Sequence, residues 1–259
     1  MLIASFLAAY NNKNARTINT DPFSAIPLPN WRIAYNGLTK IKALKKIFTS
    51  INLTHGYSST VTVSSFQTNL QSSTDSKGHL NATDSLSNNF YSIYNMPSIV
   101  INQQFSPLIG VDVTFVNKIS VRFDYKMAKT VTLSFSDFQL IENKSSTITA
   151  GAGYTIKGLK LGFIKVRGKP LRLNNDLKFK CDVSYRNSIT VNHLIDEPIP
   201  QVTSGSTTLT ISPAVDYMIS KGINLSMFVD YSHTTPRVLS SFPTTNITGG
   251  FKLKMSLVQ

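Results

Sequence analysis

Residues able to do chemistry are sparse in this chain and stand apart from one another. The four histidines, His55, His79, His193 and His233, form no HxH or HxxxH pair, the spacings that aim two imidazoles at one metal. The single cysteine, Cys181, excludes an internal disulfide and any CxxC redox or metal motif. It sits in LKFKCDVSY among the apolar alternates Leu177, Phe179, Val183 and Tyr185, where a thiol reads as a small apolar filler. No GxSxG elbow, phosphate-binding loop or GxGxxG turn is present. The expectation is therefore no catalytic residue, no metal and no cofactor. An outer-membrane hydrolase with a Ser/His or Asp/His pair on its strands stays as a remote alternative.

What recurs is charge at every second position. Arg122, Asp124 and Lys126 stand two apart, as do Lys178, Lys180 and Asp182, and then Lys252 and Lys254. They interleave with Val121, Phe123 and Tyr125, with Leu177 and Phe179, and with Leu253. In VRFDYKMAKTVTLSF (121–135) the apolar set continues through Val131, Leu133 and Phe135. Side chains two residues apart share one face of a β-strand, so one face would be charged and the other apolar. The chemistry of such a charged face is hydration and ion pairing.

Two settings satisfy that pattern: an apolar face on a protein core with charges in water, or an apolar face in lipid with charges lining an aqueous interior. Each Lys or Arg facing lipid at the midplane costs about 2–4 kcal/mol, so in a membrane the charged face must point inward. The predicted lumen-facing residues are then Arg122, Asp124, Lys126, Lys178, Lys180, Asp182, Lys252 and Lys254. The predicted lipid-facing residues are Val121, Phe123, Tyr125, Val131, Leu133, Phe135, Leu177, Phe179 and Leu253.

Composition leans the same way. Of 259 residues, 41% are hydrophobic and only 15% are charged, below the usual quarter, with Ser, Thr and Asn filling the gap. Lys and Arg number 26 against 13 Asp and Glu, a net charge of +13. The basic residues are dispersed without an RNA- or DNA-binding signature, so a nucleic-acid partner is not expected. The opening MLIASFLAAYNNKN lacks a basic lead and a clear cleavage site, so any export signal is expected outside this sequence. No stretch approaches the roughly 18–20 apolar residues of a membrane-spanning helix.

The elements that must position these residues are strands. Period-two segments at 47–55, 57–66, 108–116, 119–127, 177–185, 223–231 and 251–258 alternate with turn chemistry at His55-Gly56, Asn117-Lys118, Lys157-Gly158 and Ser220-Lys221-Gly222. The expected fold is all-β and antiparallel, with about 11 or 12 strands of about 9–12 residues, the length a tilted strand needs to cross a bilayer. Helix is expected only at 38–48 and at 2–10. No domain boundary is visible across 1–259, and 69–89 reads as a long polar loop between two strands. Because odd positions stay apolar on both sides of Ala128-Lys129-Thr130, those residues are expected to form a three-residue hairpin loop, the alternative being one unbroken strand. Arg186-Asn187-Ser188 is a further candidate turn, which would exchange the sides of every loop before it.

Several blocks then carry a resemblance: DPFSAIPLPNWRIAYNGLTKIKALKKIFTSINLTHGY, FSPLIGVDVTFVNKISVRFDYKMAKTVTLSFSDFQL, RLNNDLKFKCDVSYRNSITV and DYSHTTPRVLSSFPTTN. In that order, over residues 2–257, they resemble the C-terminal region of the SprA/Sov family, the giant outer-membrane translocons of the type IX secretion system in Bacteroidetes. The resemblance implies part of a very large β-barrel whose lumen passes folded cargo carrying C-terminal secretion domains, and gliding adhesins in gliding species. It implies as partners the remainder of the barrel, a PorV-type barrel protein, a periplasmic plug protein and outer-membrane lipid. The ending MSLVQ, with Phe251 as the last aromatic, departs from the terminal aromatic common to barrel assembly signals. A soluble β-sandwich or adhesin-like binding module remains the alternative.

Overall fold

The structure, a computed structural model, describes residues 29–255 apart from 77–79, 87, 89, 135–138, 159, 167, 168, 173, 174, 195–198, 221, 222, 239 and 240; of 160–172 and 220 it describes the backbone alone. Among the described residues the chain is all-β. Its strands are β1 (Trp31–Tyr35), β2 (Phe48–Ser64), β3 (Gln67–Thr68), β4 (Tyr94–Asn95), β5 (Ser98–Phe115), β6 (Ile119–Ser134), β7 (Gln139–Ile156), β8 (Lys160–Val166), β9 (Lys169–Arg172), β10 (Leu177–Leu194), β11 (Gln201–Ser220), β12 (Ile223–Pro236) and β13 (Thr244–Met255). Nine of them form one sheet in the order β1-β2-β5-β6-β7-β10-β11-β12-β13. Every neighbouring pair is antiparallel. Two small hairpins, β3-β4 and β8-β9, are excursions from an otherwise sequential up-and-down meander. β1 and β13 end the sheet and do not pair with each other.

The strands are longer than the periodicity suggested, because several local turn signals lie inside them. Ala128-Lys129-Thr130 makes no hairpin: β6 runs 16 residues without a break. Both its neighbours present continuous ladders there, with Ala128 opposite Gln104 and Ser145, and Thr130 opposite Asn102 and Asn143. A turn would leave those backbone groups unpaired, and the three residues include no Gly, Asn or Pro to offset that loss. Arg186-Asn187-Ser188 likewise lies within β10, paired with Thr147, Ser146 and Ser145. His55-Gly56 is also no turn but a β-bulge, marked by a register shift between Thr54 and Tyr57. A Cβ on Gly56 would stand 3.2 Å from the Ser106 carbonyl oxygen, so glycine permits the close approach of β5. β5 carries its own register shift between Phe105 and Ile109, around Pro107, which has no N–H to give the ladder.

Other expected elements stand. Asn117-Lys118 turns the chain between β5 and β6, with Lys118 at φ 67° and the Ile119 N–H donating to Asn117 Oδ1 at 3.2 Å. Gly158 takes φ 63° after β7, a conformation suited to glycine. Residues 221 and 222 of the fourth expected turn, Ser220-Lys221-Gly222, lie outside the described set, as do residues 2–10. The helical piece expected at 38–48 shrinks to a 3-10 turn at Gly37–Lys40 and one α-turn at Lys42–Lys45, because the segment passes into β2 at Phe48. The polar stretch at 69–89 lies in the connection between β3 and β4, whose described residues are joined by isolated bridges at Thr74–Leu80 and Thr83–Phe90.

Residues at and just after β4 pack on one end of the sheet. Met96 packs with Ile99 and Ile101 of β5, flanked by Val63 and Tyr94. Val131 and Leu133 stand opposite Ile101 and Ile99 and are also buried. These two were expected to face lipid; the chain itself buries them instead, at 8% and 4% exposed, beside Ile101 and Ile99 of β5. Ile99→Ala should therefore lower the unfolding free energy by about 2–5 kcal/mol, as for a large-to-small change at a buried site. Leu70→Ala, in the exposed loop, should stay within about 0.5 kcal/mol. Equilibrium denaturation followed by Trp31 fluorescence measures both.

Candidate functional site

The pairing register sorts side chains across the whole sheet. One transverse row runs Tyr35, Leu53, Val111, Phe123, Ala150, Val183, Ile211, Tyr231 and Ile247, side by side across all nine strands. The next row, one residue along and so on the opposite face, runs Asn52, Asp112, Arg122, Gly151, Asp182 and Ser212. On the apolar face no Lys, Arg, Asp or Glu occurs between the Leu177 and Tyr185 levels of β10. At about 3.3 Å per residue that band follows about 26 Å of strand. Aromatic side chains border it: Trp31, Tyr57 and Phe105 at one margin, and Tyr154, Phe179 and Phe251 at the other. Most of the large residues in the band are open, Ile247 at 71% and Phe251 at 76% among them.

The polar face is an ion-pair and hydroxyl surface. Arg122 Nε donates to the carboxylate of Asp124, a side chain 7% exposed, and lies 3.8 Å from Asp112. Lys180 Nζ donates to Asp216 Oδ2 at 2.7 Å, and Ser226 Oγ donates to Asp216 Oδ1 at 2.6 Å. Gly110 and Gly151 leave room for these groups to lie along the sheet; a Cβ at Gly151 would meet the Asp182 carboxylate. Farther along, hydroxyls bond across strands, as between Thr208 and Thr234 at 3.0 Å and from Thr149 to Ser184 at 3.3 Å. Such pairs are each worth little in stability, but they make a surface rich in water-binding groups, on which Phe228 and Met218 are large apolar exceptions.

The residues singled out from sequence divide cleanly between these faces. Arg122, Asp124, Lys126, Lys178, Lys180, Asp182, Lys252 and Lys254 share the polar one. Val121, Phe123, Tyr125, Phe179 and Leu253 share the apolar one, as does Leu177, which is buried. Phe135 lies outside the described residues. Cys181 is exposed on the apolar face beside Ala152 and Pro213. The acidic partners Asp112 and Asp216 escaped sequence reading because the ladders that bring them to Arg122 and Lys180 join separate strands.

A charged cluster also escaped it. Beyond the uncharged band, yet on the same face, Lys129 and Lys144 stand directly opposite each other. Glu142 bridges them, accepting from Lys129 Nζ at 2.6 Å and from Lys144 Nζ at 2.9 Å, with His193 Nε2 4.0 Å away. The remaining described histidines bond elsewhere: His55 Nδ1 lies 2.7 Å from the Leu108 carbonyl oxygen and His233 Nδ1 2.8 Å from Thr245 Oγ1. No group of three metal-binding side chains forms among the described residues, and none of their helices is long and apolar enough to cross a membrane.

No protein-family model matches the chain, and no curated protein matches its sequence.

Burial pushes the Glu142 carboxyl up, but hydrogen bonds from Lys129 and Lys144, with their charges, outweigh it and hold the group below its ordinary value. A carboxylate depressed in the folded state adds stability above its unfolded value, about pH 4.3, and loses it as pH falls through the folded value. Wild type should therefore be more stable than Glu142→Gln above about pH 5, and the two should converge toward about pH 3, where a protonated Glu resembles Gln. Denaturation midpoints across that range measure the difference.

Proposed function

We propose that the chain forms part of the wall of a giant outer-membrane β-barrel, a protein-conducting component of a type IX secretion translocon of the SprA/Sov kind. The observation that carries this reading is the uninterrupted apolar row from Tyr35 to Ile247, backed on the other face by Arg122 and Asp182. Scattered apolar residues are ordinary on a soluble surface, but a contiguous apolar sheet face is not. A soluble sandwich would cover it with a second sheet; the other sheets among the described residues have two strands each. Lipid covers it without one, and the rims of Trp, Tyr and Phe match the aromatic girdles of membrane barrels. The ordered sequence blocks supply the family, which the two-faced geometry alone does not.

The open edges extend the reading. β1 and β13 carry backbone groups that no strand of the sheet pairs, and unpaired backbone groups in hydrocarbon cost several kcal/mol each. Further strands, from the remainder of the barrel, would complete both edges. In the lumen, the hydroxyls, amides and paired charges keep a hydrated wall that folded cargo passes without adhering. The PorV-type barrel, the periplasmic plug and cargo with C-terminal secretion domains are the partners proposed on the family resemblance. The role is structural and conducting, with no bond made or broken by this chain.

The chain should fractionate with outer membranes or need detergent to stay dispersed, and a monodisperse folded monomer in plain buffer would contradict the reading. Phe123→Arg should cost about 2–4 kcal/mol of folding free energy in vesicles, the midplane penalty for Arg toward lipid. Lys126→Ser, on the polar face, should insert like wild type. Comparable losses from both substitutions, measured as the folded fraction after vesicle insertion, would count against the assignment of faces.

A further inference from the structure

The apolar face holds a groove whose chemistry is more specific than that of the band around it. Trp31, Tyr57, Phe105 and Met127 stand side by side across β1, β2, β5 and β6, with ring centroids 4.7 Å apart for Trp31–Tyr57 and 5.0 Å for Tyr57–Phe105. The register shifts of β2 and β5 fall at this level, where the strands irregularly depart from the flat ladder. They accompany a groove of about 760 Å³ that these four residues and Tyr125 line, with Lys129 and Lys144 at one end.

The charge at that end is outward and cationic. Glu142 lies beneath, 15% exposed, while the Lys129 and Lys144 side chains are 45% and 54% exposed. Two ammonium groups against one carboxylate leave one net positive charge, and each ammonium has three N–H donors of which the carboxylate takes one. Like charges set directly opposite across a ladder repel, so a second bridging anion would relieve what Glu142 only partly offsets. The arrangement is that of an amphiphile site: an aromatic floor for a hydrocarbon chain, then two cations for its anionic head, at the depth where a bilayer changes from chain to headgroup. An anion with several oxygens can accept from both ammonium groups at once, which favours phosphate.

We propose that this groove binds a phospholipid-type ligand, its headgroup phosphate between Lys129 and Lys144 and its acyl chain on Trp31, Tyr57 and Phe105. The proposal rests on the reading of the apolar face as lipid-facing, and the test separates the two.

Trp31 is the chain's only tryptophan and lines the groove, so it reports occupancy directly. The full chain would be inserted into phosphatidylcholine vesicles containing either brominated phosphatidylglycerol or brominated phosphatidylcholine at the same mole fraction, and quenching of Trp31 compared. The anionic lipid should quench with about fivefold preference, the size expected for a basic residue at a lipid headgroup. Lys129→Gln/Lys144→Gln should abolish the preference, and Lys129→Arg/Lys144→Arg should retain it. Lys118→Gln/Lys157→Gln, which removes the same charge near the other strand ends, should also retain it. Equal quenching by the two lipids, or loss of preference in that last variant, would overturn the site while leaving the membrane reading intact. Loss of preference on adding inorganic phosphate would overturn the lipid in favour of a free-phosphate site. No quenching by either lipid would overturn both readings together.

Discussion

A slip of one residue in any ladder of the main sheet would carry that strand's charged side chains to the opposite face. Because side chains alternate with a period of two, such a slip would set Lys180 beside Ala152 and Pro213, the neighbours of Cys181, or Arg122 beside Ala150 and Val111. Register is thus the constraint on which the rest of the architecture depends. It is enforced from both sides: apolar residues meet apolar ones from Tyr35 to Ile247, and on the reverse Arg122 finds Asp112 and Asp124 while Lys180 finds Asp216. The glycines at 110 and 151 belong to the same design, since a side chain there would occupy the space of the neighbouring carboxylates.

The sheet also divides along its strands. Within the band, stability derives from the ladders and from whatever medium covers the apolar face, because the chain itself buries little there. Past Lys129, Glu142 and Lys144 the same face becomes more closed, with Ile99 and Ile101 packed against Met96 and Tyr94, and Val131 and Leu133 buried opposite them. In the proposed setting the first part lies in hydrocarbon and the second projects beyond it, with the lysine pair at the boundary. The strands, up to 20 residues in β11, are long enough to do both.

Alternation was legible in the residues, and with it the all-β class and the partition of Arg122, Lys180 and Lys252 from Phe123, Phe179 and Leu253. Parity survives because a strand carries its face assignment locally. Continuity was less legible: Ala128-Lys129-Thr130 satisfies the parity of a hairpin and of an unbroken strand equally, and only the ladders of β5 and β7 decide between them. His55-Gly56 looked like a turn because glycine serves a bulge for the same reason it serves a turn. Val131 and Leu133 continue the lipid-facing pattern by sequence, yet both are buried beside Ile101 and Ile99 of β5, cross-strand neighbours that no period reveals. The Lys129–Glu142–Lys144 cluster was hidden for the same reason.

The central claim is that adjacent residues of β10 meet different solvents. Cys181, exposed on the apolar face and the only cysteine, can carry a nitroxide directly; Asp182→Cys in a Cys181→Ala chain carries one on the polar face. In vesicles, collision with dissolved oxygen should dominate at 181 and collision with a water-soluble nickel chelate at 182. Equal access of the chelate to both positions, or greater access at 181, would contradict the account.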